Sequence, residues 1–250
     1  MQGPLKSKES VLIAGASGTI GSSIAHSLYK KFHLLLLGRK QNESLNQLSS
    51  KYKCPVFSCD LTKNTEVLNT FKSIKKSTDS LSCIIYSVAK PFPNRLLHNT
   101  DIKVLEEQIN TQLLAFHFLM VQSLPFLEKS IQNGSTPRVI LLSSEFVIGN
   151  PPIKIGPYLA AKSAVTTYAK VLAQEWIKKG IRVFILAPGM VRSKLTSEFP
   201  EEYIKNLEQQ LPEKMLTQLT DIEKYVEVIL SGKLDSSYGV TLQVSRAHRR

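Results

Sequence analysis

Short apolar runs alternate with longer amphipathic segments along almost the whole chain. Seven of these runs are so uniformly apolar that they predict buried strands, at residues 10–14, 33–38, 55–59, 81–87, 138–144, 181–187 and 239–244. Helical spacing predicts helices between them, at residues 20–31, 43–51, 65–76, 103–129, 158–179 and 222–230. Because strand and helix repeated in this order favour right-handed crossovers, we expect an α/β fold, a doubly wound parallel sheet of about seven strands flanked by helices.

The chain has the length and apolar content of one large domain. It contains 250 residues, 42% of them hydrophobic, and no linker divides it. We therefore expect a single domain over residues 1–250. The longest irregular stretch, about 190–220, contains Pro200 and Pro212 and few strand-like runs, so we expect a mobile, substrate-covering region of loop and helix near the functional site there.

The formal net charge of +12 favours anionic partners through long-range attraction. Nucleic acid is not the partner we expect, since lysines such as Lys30, Lys72 and Lys178 are scattered over predicted outer helix faces and only the tail, residues 246–250, is compactly basic. Phosphorylated cofactors or acidic carrier proteins fit the charge better.

The cysteines and histidines do not predict a metal site. Cys54, Cys59 and Cys83 lack C-x-x-C spacing, and the five histidines lack ligand spacing, which favours a reduced, cytoplasmic protein without metal. The polar start and the lack of a run of about 18 apolar residues predict neither a signal peptide nor a membrane span.

A glycine-rich turn follows the first strand. The segment AGASGTIG, residues 14–21, places Gly15, Gly18 and Gly21 between a strand and a predicted helix. Glycines here let the backbone approach a pyrophosphate, which the helix N-terminus attracts. An ordinary glycine-rich turn is the alternative, because a glycine trio alone is a weak signal.

The second strand ends in Gly38, Arg39 and Lys40, about 20 residues after the glycines. An acidic side chain at this place would bind the ribose hydroxyl of NAD, whereas an arginine accommodates the 2′-phosphate of NADP. Because a guanidinium pairs with phosphate through forked hydrogen bonds, Arg39 predicts NADP(H) over NAD. The alternative is a solvated basic turn.

The third strand is followed by Asp60 and Leu61. The Asp60 carboxylate has two interpretations that the sequence leaves open. It accepts a hydrogen bond from an adenine amino group, or it caps the next helix or its turn.

Tyr158 and Lys162 lie four residues apart in GPYLAAKSAV, residues 156–165. Pro157 suits the first turn of a helix, so both side chains project from one helix face. A nearby ammonium lowers the pKa of a phenol, so Lys162 would tune Tyr158 as a proton donor. The preceding strand ends in Ser143 and Ser144, whose hydroxyls are candidates to bond a substrate carbonyl; a surface Tyr-x-x-x-Lys pair is the alternative.

Together these residues resemble the short-chain dehydrogenase/reductase family, in particular its 3-oxoacyl-(acyl carrier protein) reductase-like members. The resemblance covers nearly the whole chain and implies a Rossmann-type NAD(P)-binding domain. The positions that carry it are the AGASGTIG turn, Asp60, Leu61, Ser144, Tyr158, Lys162, Ala187, Pro188, Gly189, Val191 and Ser193.

The resemblance also implies roles for these side chains. Ser144 and Tyr158 would contact the substrate oxygen, with Tyr158 transferring the proton, and Lys162 would bind the nicotinamide ribose and lower the tyrosine pKa. With the arguments above, the expected cofactor-binding residues are Gly15, Ser17, Gly18, Thr19, Ile20, Gly21, Arg39, Asp60, Leu61, Ser87, Tyr158, Lys162, Pro188, Gly189, Val191 and Ser193.

Several positions depart from the family pattern. Thr19 stands where the middle glycine falls, residues 86–89 replace Asn-Asn-Ala-Gly, and residues 245–247 replace Asp-Gly-Gly. The helix asparagine of the catalytic tetrad falls on Gln112, whose amide is one methylene farther from the backbone but is still able to hold a water.

The resulting hypothesis is an NADP-dependent reductase that converts a ketone to an alcohol. A 3-oxoacyl thioester on an acidic acyl carrier protein is one candidate substrate, which the charge of +12 would suit. The resemblance further implies a homo-oligomer, a tetramer or dimer. The alternative is a cofactor-binding scaffold or redox sensor with little catalytic activity.

Overall fold

The computed structural model describes residues 8–197 and 199–246. Seven strands form one parallel sheet in the order β3-β2-β1-β4-β5-β6-β7. Their bounds are β1 Ser10–Ala14, β2 His33–Gly38, β3 Val56–Ser58, β4 Cys83–Tyr86, β5 Arg138–Leu142, β6 Arg182–Pro188 and β7 Thr241–Val244. The predicted α/β class and the doubly wound parallel sheet are thus confirmed.

Helices cover both faces of the sheet. Their bounds are α1 Thr19–Leu28, α2 Glu43–Tyr52, α3 Asn64–Ile74, α4 Ile102–Ile109, α5 Ala115–Gln132, α6 Gly156–Trp176, α7 Glu201–Gln210 and α8 Leu219–Leu230. Successive side chains of β1 point to opposite faces, so Leu12 packs in one core cluster and Ile13 in the other. Both faces are therefore buried, which is why the strands read as continuous apolar runs.

The order of strands reverses between β1 and β4, which are paired in the middle of the sheet with Ala14 opposite Tyr86. Chain connections leave these two strands in opposite directions, so a crevice opens at their carboxyl ends. The glycine turn and the segment after β4 both lie at this edge, and ligands of open α/β sheets bind at such places.

The helix predicted over residues 103–129 is interrupted. Asn110–Leu114 form a π turn between α4 and α5, in which the N–H of Ala115 bonds to the carbonyl of Asn110. The Tyr86 hydroxyl donates to the carbonyl of Thr111 across 2.8 Å and so provides a partner for the irregular backbone. Turns of this kind are frequent at functional sites, and this one contains Gln112.

The cover of loop and helix expected at about 190–220 contains α7, which is ten residues long, and its role as a cover stays a prediction. This helix buries only Ile204 and Leu207, so few apolar residues mark it in the sequence. Both residues pack in a third apolar cluster that includes Phe92 and Tyr158. Within the described part of the chain, no helix combines the length and apolar character that crossing a membrane requires.

Candidate active site

The glycine turn is tightly constrained at its first glycine. Gly15 has a φ of +83°, and a Cβ there would lie 2.6 Å from the carbonyl oxygen of Ser87. The N–H groups of Gly15 and Ala16 both donate to the carbonyl of Leu37, at 2.9 and 3.1 Å. Only glycine fits this backbone conformation and this close approach to the segment after β4.

The other two glycines let α1 begin close to the turn. A Cβ at Gly21 would lie 2.3 Å from the Gly15 carbonyl oxygen, so a side chain there would push the helix away. Gly18 is the N-cap residue and has no side-chain cap, and α1 begins at Thr19. Backbone N–H groups in the first turn of a helix attract an anion such as a pyrophosphate.

A cleft of about 420 Å³ opens beside this turn. It collects seven of the predicted cofactor residues, from the ends of β1, β2, β3 and β4: Gly15, Ser17, Gly18, Arg39, Asp60, Leu61 and Ser87. A turn that only glycine can form, a helix N-terminus and a neighbouring cleft together fit a dinucleotide.

Arg39 and Asp60 border the cleft with opposite charges. Arg39 is exposed at the end of β2. The Asp60 carboxylate accepts from the N–H and the hydroxyl of Thr62, at 3.1 and 2.7 Å, while the N-cap of α3 is Lys63. Asp60 is therefore a turn acceptor rather than the helix cap. Partial burial acts to raise the pKa of Asp60, but the hydrogen bonds from Thr62 and the charges of Lys63 and Arg39 outweigh it and lower the pKa.

A second, smaller cavity of about 80 Å³ contains the predicted proton donor. Ser144 and Tyr158 both line it and their side chains are hydrogen-bonded to each other. Burial raises the pKa of Tyr158 to about 12, and the bond with Ser144 acts in the opposite direction. The remaining walls are largely apolar, namely Ile20, Phe92, Phe146, Ile155, Pro188, Met190, Val191, Leu195 and Phe199.

Lys162 lies one helical turn after Tyr158 and is almost completely buried. Its ammonium donates to the carbonyl of Leu142, the last residue of β5, across 2.7 Å. Burial lowers the pKa of Lys162 to about 7. Burial is the largest influence on the phenol and raises its pKa, and Lys162 is not among the groups that act on it, so the expected tuning of Tyr158 by Lys162 stays a prediction.

Gln112 is completely buried in the π turn. Its amide nitrogen donates to the side-chain oxygen of Gln108 across 2.7 Å. Its amide oxygen has no hydrogen-bond partner among the residues that the structure describes. Gln112 therefore retains an acceptor for a water or a ligand, while one of its two amide N–H groups is already engaged.

The segment after β6 closes the smaller cavity. Pro188, Gly189, Val191 and Ser193 line it beside Tyr158. A Cβ at Gly189 would lie 2.4 Å from the Thr217 hydroxyl, so only glycine fits there. Four predicted site residues line neither cavity: Thr19, Gly21, Gln112 and Lys162.

Phe92 is a residue of this pocket that was not predicted from the sequence. Its ring stacks on that of Tyr158, with ring centres 4.6 Å apart and an angle of 22° between the planes. A signal was present, since Phe92 is an aromatic residue held between Pro91 and Pro93 just after a buried strand, at the edge of the sheet where ligands bind.

The end of the chain is described only as far as Arg246. Residues 247–250, which include Ala247, His248 and most of the basic tail, lie outside the described residues. Arg246 forms paired hydrogen bonds with Asp221, both at 2.9 Å. Over residues 8–197 and 199–246, no group of three or more His, Cys, Asp or Glu side chains is arranged to hold a metal ion.

Comparisons with known proteins agree with this architecture. The profile of a family described as enoyl-(acyl carrier protein) reductase matches residues 15–246. The chain is 27% identical over 243 residues to the 3-oxoacyl-(acyl carrier protein) reductase FabG of Rickettsia bellii, covering 96% of each chain.

Two solved structures share the fold at low sequence identity. A 3-ketoacyl-(acyl carrier protein) reductase from Brucella melitensis, complexed with NADH, has a TM-score of 0.88 at 16% identity, covering 97% of this chain and 98% of its own. The NADP complex of Pseudomonas aeruginosa RhlG has a TM-score of 0.89 at 17% identity, covering 97% of each chain.

The sheet is doubly wound, a glycine turn follows β1, and a Ser-Tyr-Lys group lies just after β5 and in the first turns of α6. These features together define a class of nucleotide-dependent oxidoreductases. The chain belongs to the short-chain dehydrogenase/reductase family, and its sequence relatives include 3-oxoacyl-(acyl carrier protein) reductases.

Proposed function

We propose that the chain is an NADP-dependent reductase that converts a ketone to an alcohol, with Tyr158 as the proton donor. The observation that carries the proposal is the pocket in which the side chains of Ser144 and Tyr158 are hydrogen-bonded between apolar walls, next to the segment after β6. A buried phenol beside a buried ammonium is costly to maintain, which argues against a chance surface pair.

A nicotinamide cofactor is supported by the glycine turn, the cleft beside it and the NADH and NADP complexes of the structural neighbours. When bound, the reduced nicotinamide supplies the hydride. Gly15 and the first turn of α1 would hold the pyrophosphate, and Lys162 the nicotinamide ribose. The Ser193 hydroxyl would reach the carboxamide. Arg39 supports NADP(H), because its exposed guanidinium at the end of β2 is available for a 2′-phosphate.

Each polar side chain at the pocket would have its own role in the reduction. Ser144 would donate a hydrogen bond to the substrate carbonyl oxygen, where negative charge develops. Tyr158 would give its phenolic proton to that oxygen, and the positive charge of Lys162 would stabilise the resulting phenolate. The largely apolar walls would exclude water around a bound substrate, which would strengthen each of these interactions.

The proposed substrate is a 3-oxoacyl thioester carried by an acidic acyl carrier protein. The sequence relatives bear the names of such reductases, and the net charge of +12 suits an acidic partner. Residues 190–220 would form the cover over the substrate within a single-domain chain. Half-exposed Val121 on α5 and Val171 on α6 support a homo-oligomer, a tetramer or dimer, and three free cysteines fit the cytoplasm.

A second candidate is a cofactor-binding scaffold or redox sensor. One observation favours it. Gln112 stands where the family has the asparagine of its catalytic tetrad, and its amide nitrogen is already bonded to Gln108. A scaffold would keep the cleft but would have no use for the buried proton donor.

The test is NADPH oxidation, followed by absorbance, with acetoacetyl thioesters, cyclic ketones, steroids and quinones as substrates. We expect turnover with the acetoacetyl thioester and tighter binding of NADPH than of NADH. Tight NADPH binding without turnover of any ketone would establish the scaffold instead. Retention of oligonucleotides that weakens steeply with salt would indicate a nucleic-acid binder.

A further inference from the structure

The rings of Phe92 and Tyr158 cover each other. Their centres are 4.6 Å apart at 22°, and each residue is only 7% exposed. Phe199, from the segment before α7, meets the Phe92 ring edge-on at 6.4 Å and 79°. One face of the tyrosine is thus closed by an aromatic wall, and an incoming substrate must reach the hydroxyl from the side of Ser144.

Phe92 lies in a loop without regular structure, between β4 and the short helical turn at Leu97–Asn99. The Gln108 side chain holds this loop from α4. Its amide nitrogen donates to the carbonyls of Lys90 and Pro91, at 3.1 and 3.4 Å, directly before Phe92. The position of the aromatic wall is therefore set by a buried amide.

The orientation of the Gln108 amide is set in turn by Gln112. The amide nitrogen of Gln112 donates to the amide oxygen of Gln108 across 2.7 Å, which directs the nitrogen of Gln108 toward the loop. Both glutamines are at most 1% exposed, so these bonds are shielded from bulk solvent. A continuous path of contacts leads from the π turn through Gln108 and the loop to the Tyr158 ring.

The pocket that this wall encloses is narrow. Its volume is about 80 Å³, whereas ligand pockets commonly measure roughly 300–1,000 Å³. A carbonyl with slim neighbours would suit so small a pocket, and we expect a branch next to the carbonyl to meet the Phe92 ring that lines it. One methylene in such a pocket changes selectivity by about 10-fold to 200-fold.

We propose that Phe92 is the residue that makes the site selective for ketones that are unbranched beside the carbonyl, and that Gln108 is a positioning residue that acts through Phe92. This inference rests on the proposed reductase function and names the shape of substrate that the site takes. Gln112 contributes by orienting Gln108.

The kinetic test compares acetoacetyl thioester with its 2-methyl-branched analogue. For Phe92→Ala we expect the kcat/KM ratio of branched to unbranched substrate to rise by about tenfold or more. Phe92→Leu should give a smaller rise. Leu68→Ala, a truncation on the exposed side of α3 outside the pocket, is the control and should leave the ratio within about twofold.

Gln108→Leu should change the ratio in the same direction as Phe92→Ala, although Phe92 is still present. The double variant Phe92→Ala/Gln108→Leu should have the same ratio as Phe92→Ala alone, because Gln108 acts through Phe92. Gln108→Asn keeps an amide and should restore part of the selectivity. Gln132→Leu, the same exchange at an exposed end of α5, should leave the ratio unchanged.

A readout independent of turnover is the NMR signal of Tyr158 in protein with ¹³C-labelled tyrosine, assigned by its loss in Tyr158→Phe. The stacked ring shields this signal, so both Phe92→Ala and Gln108→Leu should shift it downfield. NADPH affinity, measured by its fluorescence, should stay within about twofold in both variants.

Unchanged selectivity in Phe92→Ala, with wild-type turnover of the acetoacetyl thioester, would overturn this inference and leave the reductase function standing. An unshifted Tyr158 signal in Gln108→Leu would overturn the positioning role. If the wild type turned over no ketone, the proposed function would fail, and the selectivity would fail with it.

Discussion

The ammonium of Lys162 donates to the backbone carbonyl of Leu142 across 2.7 Å, and both residues are at most 3% exposed. This bond ties α6 to the end of β5, the strand that leads to Ser144. Burial of the ammonium has a cost, because desolvation disfavours the charged form and lowers the pKa of Lys162 to about 7. Lys162 therefore loses its proton more readily in the folded protein than in the unfolded chain, so the free energy of unfolding depends on pH.

The free energy of unfolding should rise with pH above about 7 in the protein without cofactor. The pKa of Lys162 is about 7 in the folded chain, against the usual 10.5 in the unfolded chain. Between these values the unfolded state binds more protons, so stability rises across this window, by at most about 1.4 kcal/mol per pH unit. Below this pH window Lys162 is protonated in both the folded and the unfolded chain, and the full cost of burying its charge reduces the free energy of unfolding.

Denaturant unfolding at pH 6, 7, 8 and 9 measures this effect. Lys162→Met keeps most of the side chain but removes the charge, so it is the control for every other titrating group. The stability of the wild type relative to this variant should increase from pH 7 to pH 9. Parallel curves for the two proteins would show that Lys162 is charged in both states.

Tyr158→Phe should lower kcat for the acetoacetyl thioester by about 10²-fold to 10⁴-fold, the contribution of a positioned proton donor. The affinity for NADPH should stay within about twofold, because the ring and its contact with Phe92 are retained. Tyr225→Phe, on the exposed side of α8, is the control and should leave kcat unchanged. A Tyr158→Phe variant with more than about a tenth of the wild-type rate would exclude Tyr158 as the donor.

The sheet and its ligand-binding edge could be predicted because they depend on local patterns. Runs such as residues 33–38 are apolar throughout, and the spacing of Gly15, Gly18 and Gly21 follows from the backbone geometry of one turn. Tyr158 and Lys162 could be placed on one helix for the same reason, since residues four apart share a helix face.

The wall of the pocket could not be predicted, because it depends on contacts between distant segments. Phe92 meets Tyr158, which is 66 residues farther along the chain, by way of a loop that Gln108 holds. No periodicity marks such a residue. The bounds of α7 within the expected cover could not be predicted for a different reason, because its ten residues bury only two side chains.

Gly15→Ala should destabilise the fold much more than Gly134→Ala. The two glycines have φ values of +83° and +84°, so alanine meets the same backbone penalty at both, roughly 1–2 kcal/mol. A Cβ at Gly15 would also lie 2.6 Å from the Ser87 carbonyl oxygen, whereas nothing lies within 4 Å of one at Gly134. The excess cost at Gly15 should be about 1–3 kcal/mol, as for an overpacked core.

Denaturant unfolding of both variants gives the two costs, and NADPH fluorescence gives the affinities. Gly134→Ala should bind NADPH like the wild type, because Gly134 lies in the turn after α5, away from the cleft. Gly15→Ala should bind it more weakly even where it is folded. Equal destabilisation by the two substitutions would show that the turn relaxes away from Ser87.

Arg39→Ala should weaken NADPH binding selectively. A hydrogen bond between a guanidinium and a phosphate contributes about 1.5–3 kcal/mol, which corresponds to a rise in Kd of roughly 10-fold to 100-fold. NADH lacks the 2′-phosphate, so its Kd should not change. Lys40→Ala removes a positive charge from the same exposed turn and is the matched control for long-range attraction.

The comparison of these two variants separates a specific contact from the general field of a chain with a net charge of +12. If Arg39 pairs with the phosphate, its removal should affect only the phosphorylated cofactor, and the loss should exceed that in Lys40→Ala by about tenfold or more. If both substitutions weaken NADPH binding slightly and equally, the charge attracts the cofactor without selecting it. NADH binding as tight as NADPH binding in the wild type would reject the preference for NADP, and the assignment of Arg39 with it.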